Sequence, residues 1–98
     1  MTYKLVFLEV AKKEWDRLSK EIQKQLRIKL TKVLENPCVP KNKLSKMKDC
    51  YKIKLGASGY RLIYRIYEDR IVVQVIAIGK RDKDIVYETV RQRIDFDE

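Results

Sequence analysis

The chain contains no histidine. That removes the side chain that most often acts as acid or base near neutral pH. It also removes the zinc sites that depend on imidazole. Cysteine is nearly absent: Cys38 and Cys50 have neither the spacing nor the partners of a metal-ligand motif. They read as free thiols in a reducing compartment. No apolar run approaches the ~20 residues of a membrane span, so no membrane partner is expected. The N-terminal Met1–Phe7 has neither the long apolar stretch nor the small-residue cleavage site of a signal peptide. A cytoplasmic protein is the expectation. Internal repeats and low-complexity segments are also missing.

Positive charge is what the chain has in excess. Its 23 Lys+Arg stand against 14 Asp+Glu, a net charge of +9. That balance suits nucleic acid, an acidic protein partner or an anionic surface, and it says nothing about fold. The 98 residues make one domain, 1–98. With 45% hydrophobic residues, such a domain can bury a core without staples.

Residues 2–8 alternate as a strand, with Tyr3, Leu5 and Phe7 on one face. Leu8, Ala11, Trp15 and Leu18 then recur at helical spacing. Ser19 is the N-cap of a second helix that carries Ile22, Leu26, Leu30, Val33 and Leu34 on one side. Lys20, Lys24, Arg27 and Lys32 fall toward the other side, and Asn36-Pro37 ends the helix. The two helices read as an antiparallel hairpin. Residues 37–49 connect them to three strands, about 50–56, 59–67 and 70–79, with Glu68-Asp69 as a tight turn between the last two.

The alternation assigns Tyr51, Ile53, Leu55, Tyr60, Leu62, Tyr64, Ile66, Ile71, Val73, Val75 and Ala77 to the face packed on the helices. Lys52, Lys54, Arg61, Ile63, Arg65, Val72, Gln74, Ile76 and Ile78 take the other face. A last helix, capped by Asp82 and containing Ile85, Tyr87, Val90 and Ile94, can cover the apolar strip of that second face. Left uncovered, the strip is a docking surface. The fold class is therefore α+β: an N-terminal strand, a helix hairpin, a three-stranded antiparallel meander and a short C-terminal helix.

Six lysines lie between Lys41 and Lys54 against one acid, Asp49. With Ala57-Ser58 as the hairpin turn, Lys54 lies directly opposite Arg61. Like charges facing each other across a sheet are destabilising, so the cluster is aimed at a polyanion. Cleavage of RNA by its own 2′-hydroxyl needs a base, an acid, cations for the phosphorane charge and in-line orientation. Lysine can serve as acid or base when neighbouring positive charge lowers its pKa. Lys52 and Lys54 beside Arg61 meet that condition in kind. Arg61 and Arg81 suit phosphate, because the guanidinium presents a planar fork. Tyr87 can hydrogen-bond the ribose or the scissile phosphate.

Simpler roles compete for each residue. Lys52 and Lys54 can be an ordinary solvated sheet face. Arg61 and Arg65 can pair with Glu68 or Asp69, and Arg81 with Asp82 or Asp84. Tyr87 can be core, as Tyr51, Tyr60, Tyr64 and Trp15 are expected to be. A basic patch by itself signals nucleic-acid binding more often than catalysis.

The element order and a series of short matches resemble the RelE/ParE superfamily of bacterial toxins, and its RelE-like branch most closely. The matches are Leu18, Asn42-Lys43-Leu44 and Asp49-Cys50-Tyr51-Lys52-Ile53-Lys54-Leu55. Ser58-Gly59-Tyr60-Arg61-Leu62, Val75-Ile76, Gly79-Lys80-Arg81 and Val86-Tyr87 continue the pattern over nearly the whole chain. The resemblance implies a ribosome-dependent, metal-independent endoribonuclease that cuts mRNA in the A site of the 70S ribosome, against 16S rRNA. It implies no cofactor. It gives Lys52 the role of base, Lys54 that of acid, Arg61 and Arg81 the phosphate, and Tyr87 the nucleotide. Lys41, Lys43, Lys46, Lys48, Arg65, Lys80 and Lys83 are the accompanying RNA- or ribosome-binding residues. A RelB-type antitoxin is implied as partner, with operator DNA contacted only through the antitoxin complex. The chain departs from the family where a basic residue often follows Asn-Lys-Leu. Here that position is Ser45, with Lys46 next, which implies a different grip on mRNA. The alternatives are a gyrase poison of the ParE branch and a non-catalytic RNA- or ribosome-binding module.

Overall fold

The structure, a computed structural model, describes residues 2–44, 47–56, 58–80 and 88–93. Strand β1 spans Lys4–Phe7. Helix α1 follows at Glu9–Asp16 and helix α2 at Lys20–Glu35. Ser19 caps α2, its hydroxyl oxygen accepting the Ile22 N–H at 3.3 Å. The two helices are tied where the Gln23 side-chain amide donates to the Trp15 carbonyl at 2.8 Å. After α2 the Pro37 carbonyl accepts the buried Tyr64 hydroxyl at 2.8 Å, which pins the start of the connection to the sheet. A single 3-10 turn, Pro40–Asn42, interrupts that connection.

Strands β2 (Cys50–Lys54), β3 (Tyr60–Tyr67) and β4 (Val72–Lys80) complete a four-stranded sheet of order β1-β4-β3-β2. The meander is antiparallel, as its alternation predicts, and β1 adds to β4 in parallel. The parallel edge is not visible in any local pattern, because it depends on where the chain returns after the helices. β4 begins later than the alternation suggests. Glu68–Ile71 make the turn, with Ile71 at φ 55°. That left-handed conformation takes Ile71 out of the strand and off the core face.

The helix-side core gathers Ala11, Trp15, Leu26 and Leu30 against Tyr51, Ile53, Leu55, Leu62, Tyr64, Ile66, Val73, Val75 and Ile78. Tyr51 and Tyr64, paired across β2 and β3, stack at 5.7 Å between ring centroids. A second, smaller core lies on the opposite face: Leu44, Cys50, Ile63, Ile76, Ala77 and Val90.

Two face assignments are thereby corrected. Ala77 joins the second face and Ile78 the helix face. The cause is a register shift: Ile63 pairs with Ala77 but Tyr64 pairs with Val75, leaving Ile76 as an extra residue on β4. One inserted residue reverses the alternation beyond it. Residues 88–93 are helical, and fully buried Val90 covers the apolar strip. Asp82, Ile85, Tyr87 and Ile94 lie outside the described residues.

Leu26, fully buried in the larger core, should cost about 2–5 kcal/mol on Leu26→Ala, read as a lowered urea midpoint with an unchanged m-value. Burial pushes the Cys50 thiol up to about 11, opposed by the nearby Arg65 guanidinium. The folded chain therefore holds that proton above the ordinary thiol range while the unfolded chain releases it. Stability should fall as pH rises from about 9 toward 11. Iodoacetamide at pH 8 should label Cys50 far more slowly in the folded than in the urea-unfolded chain, and equal rates would refute its burial.

Candidate nucleic-acid interface

The hairpin joining β2 to β3 sets the geometry of the basic cluster. Gly59, at φ 76°, takes a backbone conformation that other residues rarely adopt. The Gly59 N–H donates to the Leu55 carbonyl and the Leu55 N–H to the Tyr60 carbonyl, each at 2.9 Å. Leu55 and Tyr60 are thus a hydrogen-bonded pair. The next pair, Lys54 and Arg61, is of the non-hydrogen-bonded kind, in which facing side chains approach most closely. The expected opposition of Lys54 and Arg61 is present in the register.

Lys52 lies two residues back on the same face, opposite Ile63 and diagonal to Arg61. Lys54 is exposed, Lys52 is half-buried and Arg61 is 9% exposed. The most buried cation is therefore the arginine, the weakly hydrated fork that suits a desolvated phosphate. On its other side Arg61 faces Gly79, which contributes no side chain.

Lys29, not singled out by sequence reasoning, also reaches this corner. Its ammonium donates to the Lys54 carbonyl at 3.0 Å. β2 is an edge strand, so the carbonyl of a non-hydrogen-bonded pair points away from β3 and needs another donor. Lys29 sits between Leu26 and Leu30, on the flank of the buried stripe of α2, and its stem can reach past the sheet edge. That flanking position was the available signal.

Among the described residues, the other basic side chains singled out by the sequence do not form one patch. Arg65 lies four residues along β3 from Arg61, on the order of 13 Å, with its guanidinium carbon 5.1 Å from the Tyr67 ring centroid. It lines a cleft with Lys48, Asp49, Tyr67, Glu68 and Asp69. Lys43 bridges Tyr51 along the outer edge of β2, and Lys41 is exposed in the 3-10 turn. Lys80 pairs with Tyr60 and places its ammonium 5.4 Å from that ring centroid. It therefore leans to the side of the sheet opposite Arg61. Arg81, Tyr87, Lys46 and Lys83 lie outside the described residues, as does Ser45. Among the described residues no helix is long and apolar enough to cross a membrane.

The arrangement offers a nearly buried arginine flanked by two lysines on a hairpin, beside a helical segment that seals the apolar part of the same face. Known proteins share this frame. A sequence model of the family described as the ParE toxin of the type II toxin–antitoxin system parDE matches residues 5–85. The mRNA interferase toxin RelE of Escherichia coli strain K12 is 49% identical over 94 residues, 96% of this chain and 99% of that protein. The structure of a doubly substituted E. coli RelE toxin in the free state superposes with a TM-score of 0.89. It is 48% identical and covers 96% of this chain and 99% of that one. A toxin chain in the crystal structure of the intact E. coli RelBE toxin–antitoxin complex gives a TM-score of 0.80 at 49% identity, over 83% of this chain and 99% of that one. Fold and sequence agree across nearly the full length, and the chain belongs to the RelE/ParE family of type II toxin–antitoxin toxins.

Proposed function

We propose that the chain is a RelE-type mRNA interferase: a toxin that cuts mRNA in the ribosomal A site and is held in check by a RelB-type antitoxin. The observation that carries this reading is the Lys54–Arg61 pair, set face to face with Lys52 beside it, in a chain 49% identical to a protein named for that activity. The ParE name of the family model raises the gyrase-poison alternative. The near full-length identity to RelE favours the nuclease.

In the proposed reaction Lys52 accepts the proton of the 2′-hydroxyl. The 2′-oxygen attacks phosphorus, and the bond to the 5′-oxygen breaks. Lys54 donates a proton to that leaving oxygen. The products are a 2′,3′-cyclic phosphate and a 5′-hydroxyl end. Arg61 and Arg81 hold the non-bridging oxygens as charge builds on the phosphorane, and Tyr87 orients the nucleotide. No step requires a metal. Lys41, Lys43, Lys46, Lys48, Arg65, Lys80 and Lys83 contact RNA or ribosome. The described ones among them are spread over both sheet faces and the β2 edge, which fits a ribosomal cavity better than a single strand of RNA. The ribosome supplies the orientation that a small open site lacks. The antitoxin complex, not the toxin, contacts operator DNA. The chain acts as one domain in the cytoplasm.

Purified 70S ribosomes with a defined mRNA, a filled P site and an empty A site provide the test. Primer extension should show a cut within the A-site codon only when ribosomes and protein are both present. Lys54→Ala should slow single-turnover cleavage by about 10²–10⁴-fold while ribosome binding persists. A variant that cuts at the wild-type rate would refute the assignment of Lys54. The absence of any cut by folded wild-type protein would refute the nuclease.

A further inference from the structure

Glu14 and Arg93 form a half-buried pair joining the two ends of the chain. They lie outside the basic cluster, and nothing in the proposed reaction uses them. Arg93 Nη1 is 2.8 Å from Glu14 Oε1, and Nη2 is 3.2 Å from Oε2, a two-pronged contact. Their side chains are 16% and 29% exposed. Both residues also bond to the backbone of β4. Arg93 Nη1 donates to the Ile76 carbonyl at 2.7 Å, and the Ile78 N–H donates to Glu14 Oε1 at 3.2 Å.

The reason lies in the sheet. β1 ends at Phe7, and the Leu8 N–H is already on the Val75 carbonyl at 2.9 Å. Beyond Val75, among the described residues, no strand neighbours β4 on that side, and the extra residue Ile76 has disturbed the ladder. Backbone groups left there need side-chain partners, and charge-assisted bonds from a carboxylate and a guanidinium are the strong kind.

One carboxylate oxygen thus holds two points of the chain. Ile78 lies just before Gly79-Lys80-Arg81, and Arg93 closes the helical residues 88–93 that follow Tyr87 directly. We propose that Glu14 and Arg93 are positioning residues for RNA cleavage. They anchor both flanks of the segment bearing Arg81 and Tyr87 against the sheet that bears Lys54 and Arg61. Val90, fully buried on Ile63 and Ile76, supplies apolar adhesion but little direction. The bonded pair sets the register of the helical segment along β4. This inference rests on the cleavage reading given above.

The test uses the full chain with Arg93→Gln, Arg93→Lys and Glu14→Gln, in two arms. In single-turnover cleavage on ribosomes, Arg93→Gln should lower the saturating rate by about 10–100-fold while half-saturation stays unchanged. Arg93→Lys keeps the charge but not the fork, and should recover part of the rate. In amide hydrogen exchange, Ile78 and residues 88–93 should exchange faster in Arg93→Gln, with Leu62 in the central strand still protected. If Arg93→Gln loses Leu62 protection as well, Glu14→Gln, which keeps an acceptor for the Ile78 amide, takes its place in both arms. A wild-type rate at saturation, or a defect confined to half-saturation, overturns the positioning role. Unchanged exchange across residues 88–93, in whichever variant is used, overturns the anchor itself. Wild-type protein that does not cleave refutes the nuclease reading instead, and the exchange arm still decides the anchor.

Discussion

Burial of β3 on both faces is the constraint on which the rest of this fold depends. Leu62, Ile63 and Tyr64 are consecutive and fully buried. A strand can bury consecutive residues only if each face of its sheet is covered. Here α1 and α2 cover one face, and Leu44 with Val90 covers the other. The hairpin partner β2 must then follow in one register, because a slip of one residue would carry Lys52 and Lys54 into the helix-side core. The opposition of Lys54 and Arg61 is the visible consequence. The cations are concentrated at the end of β3 where the second core stops.

Placing like charges opposite each other in this way works against folding. It is tolerable because the strands carrying it are held by apolar burial elsewhere. Arg61 is nearly buried while Lys54 is open, so the cluster presents a gradient from a desolvated fork to a hydrated ammonium. A phosphodiester entering that corner would meet the more strongly interacting group deeper in. Rigid placement matters because such a site relies on position and charge, without imidazole.

The Glu14–Arg93 ion pair, on the β4 side of the sheet, is organised differently. Glu14 is one of few carboxylates drawn inward in a strongly basic chain, and it acts on backbone that β1 is too short to reach. The same bulge that frees those backbone groups turns Ile78 into the helix-side core and Ala77 out of it. A single inserted residue therefore links the packing of both cores to the attachment of the C-terminal helical segment.

Much of this was legible in the sequence, for local reasons. Helical spacing of Ile22, Leu26, Leu30 and Val33, the Ser19 cap and the Gly59 turn act within a few residues of themselves. So does the hairpin that puts Lys54 opposite Arg61, since a short loop leaves little choice of register. The candidate site lies on that hairpin, and so Lys52, Lys54 and Arg61 could be grouped without coordinates. What the sequence did not reveal was non-local. The parallel docking of β1 on β4, the Ile76 bulge, the late start of β4 at Val72, the reach of Lys29 to the Lys54 carbonyl and the Glu14–Arg93 pair depend on residues far apart in the chain. No periodicity encodes such contacts. They follow from where elements come to rest against one another, and from backbone groups that need a partner only once that packing has shut out water.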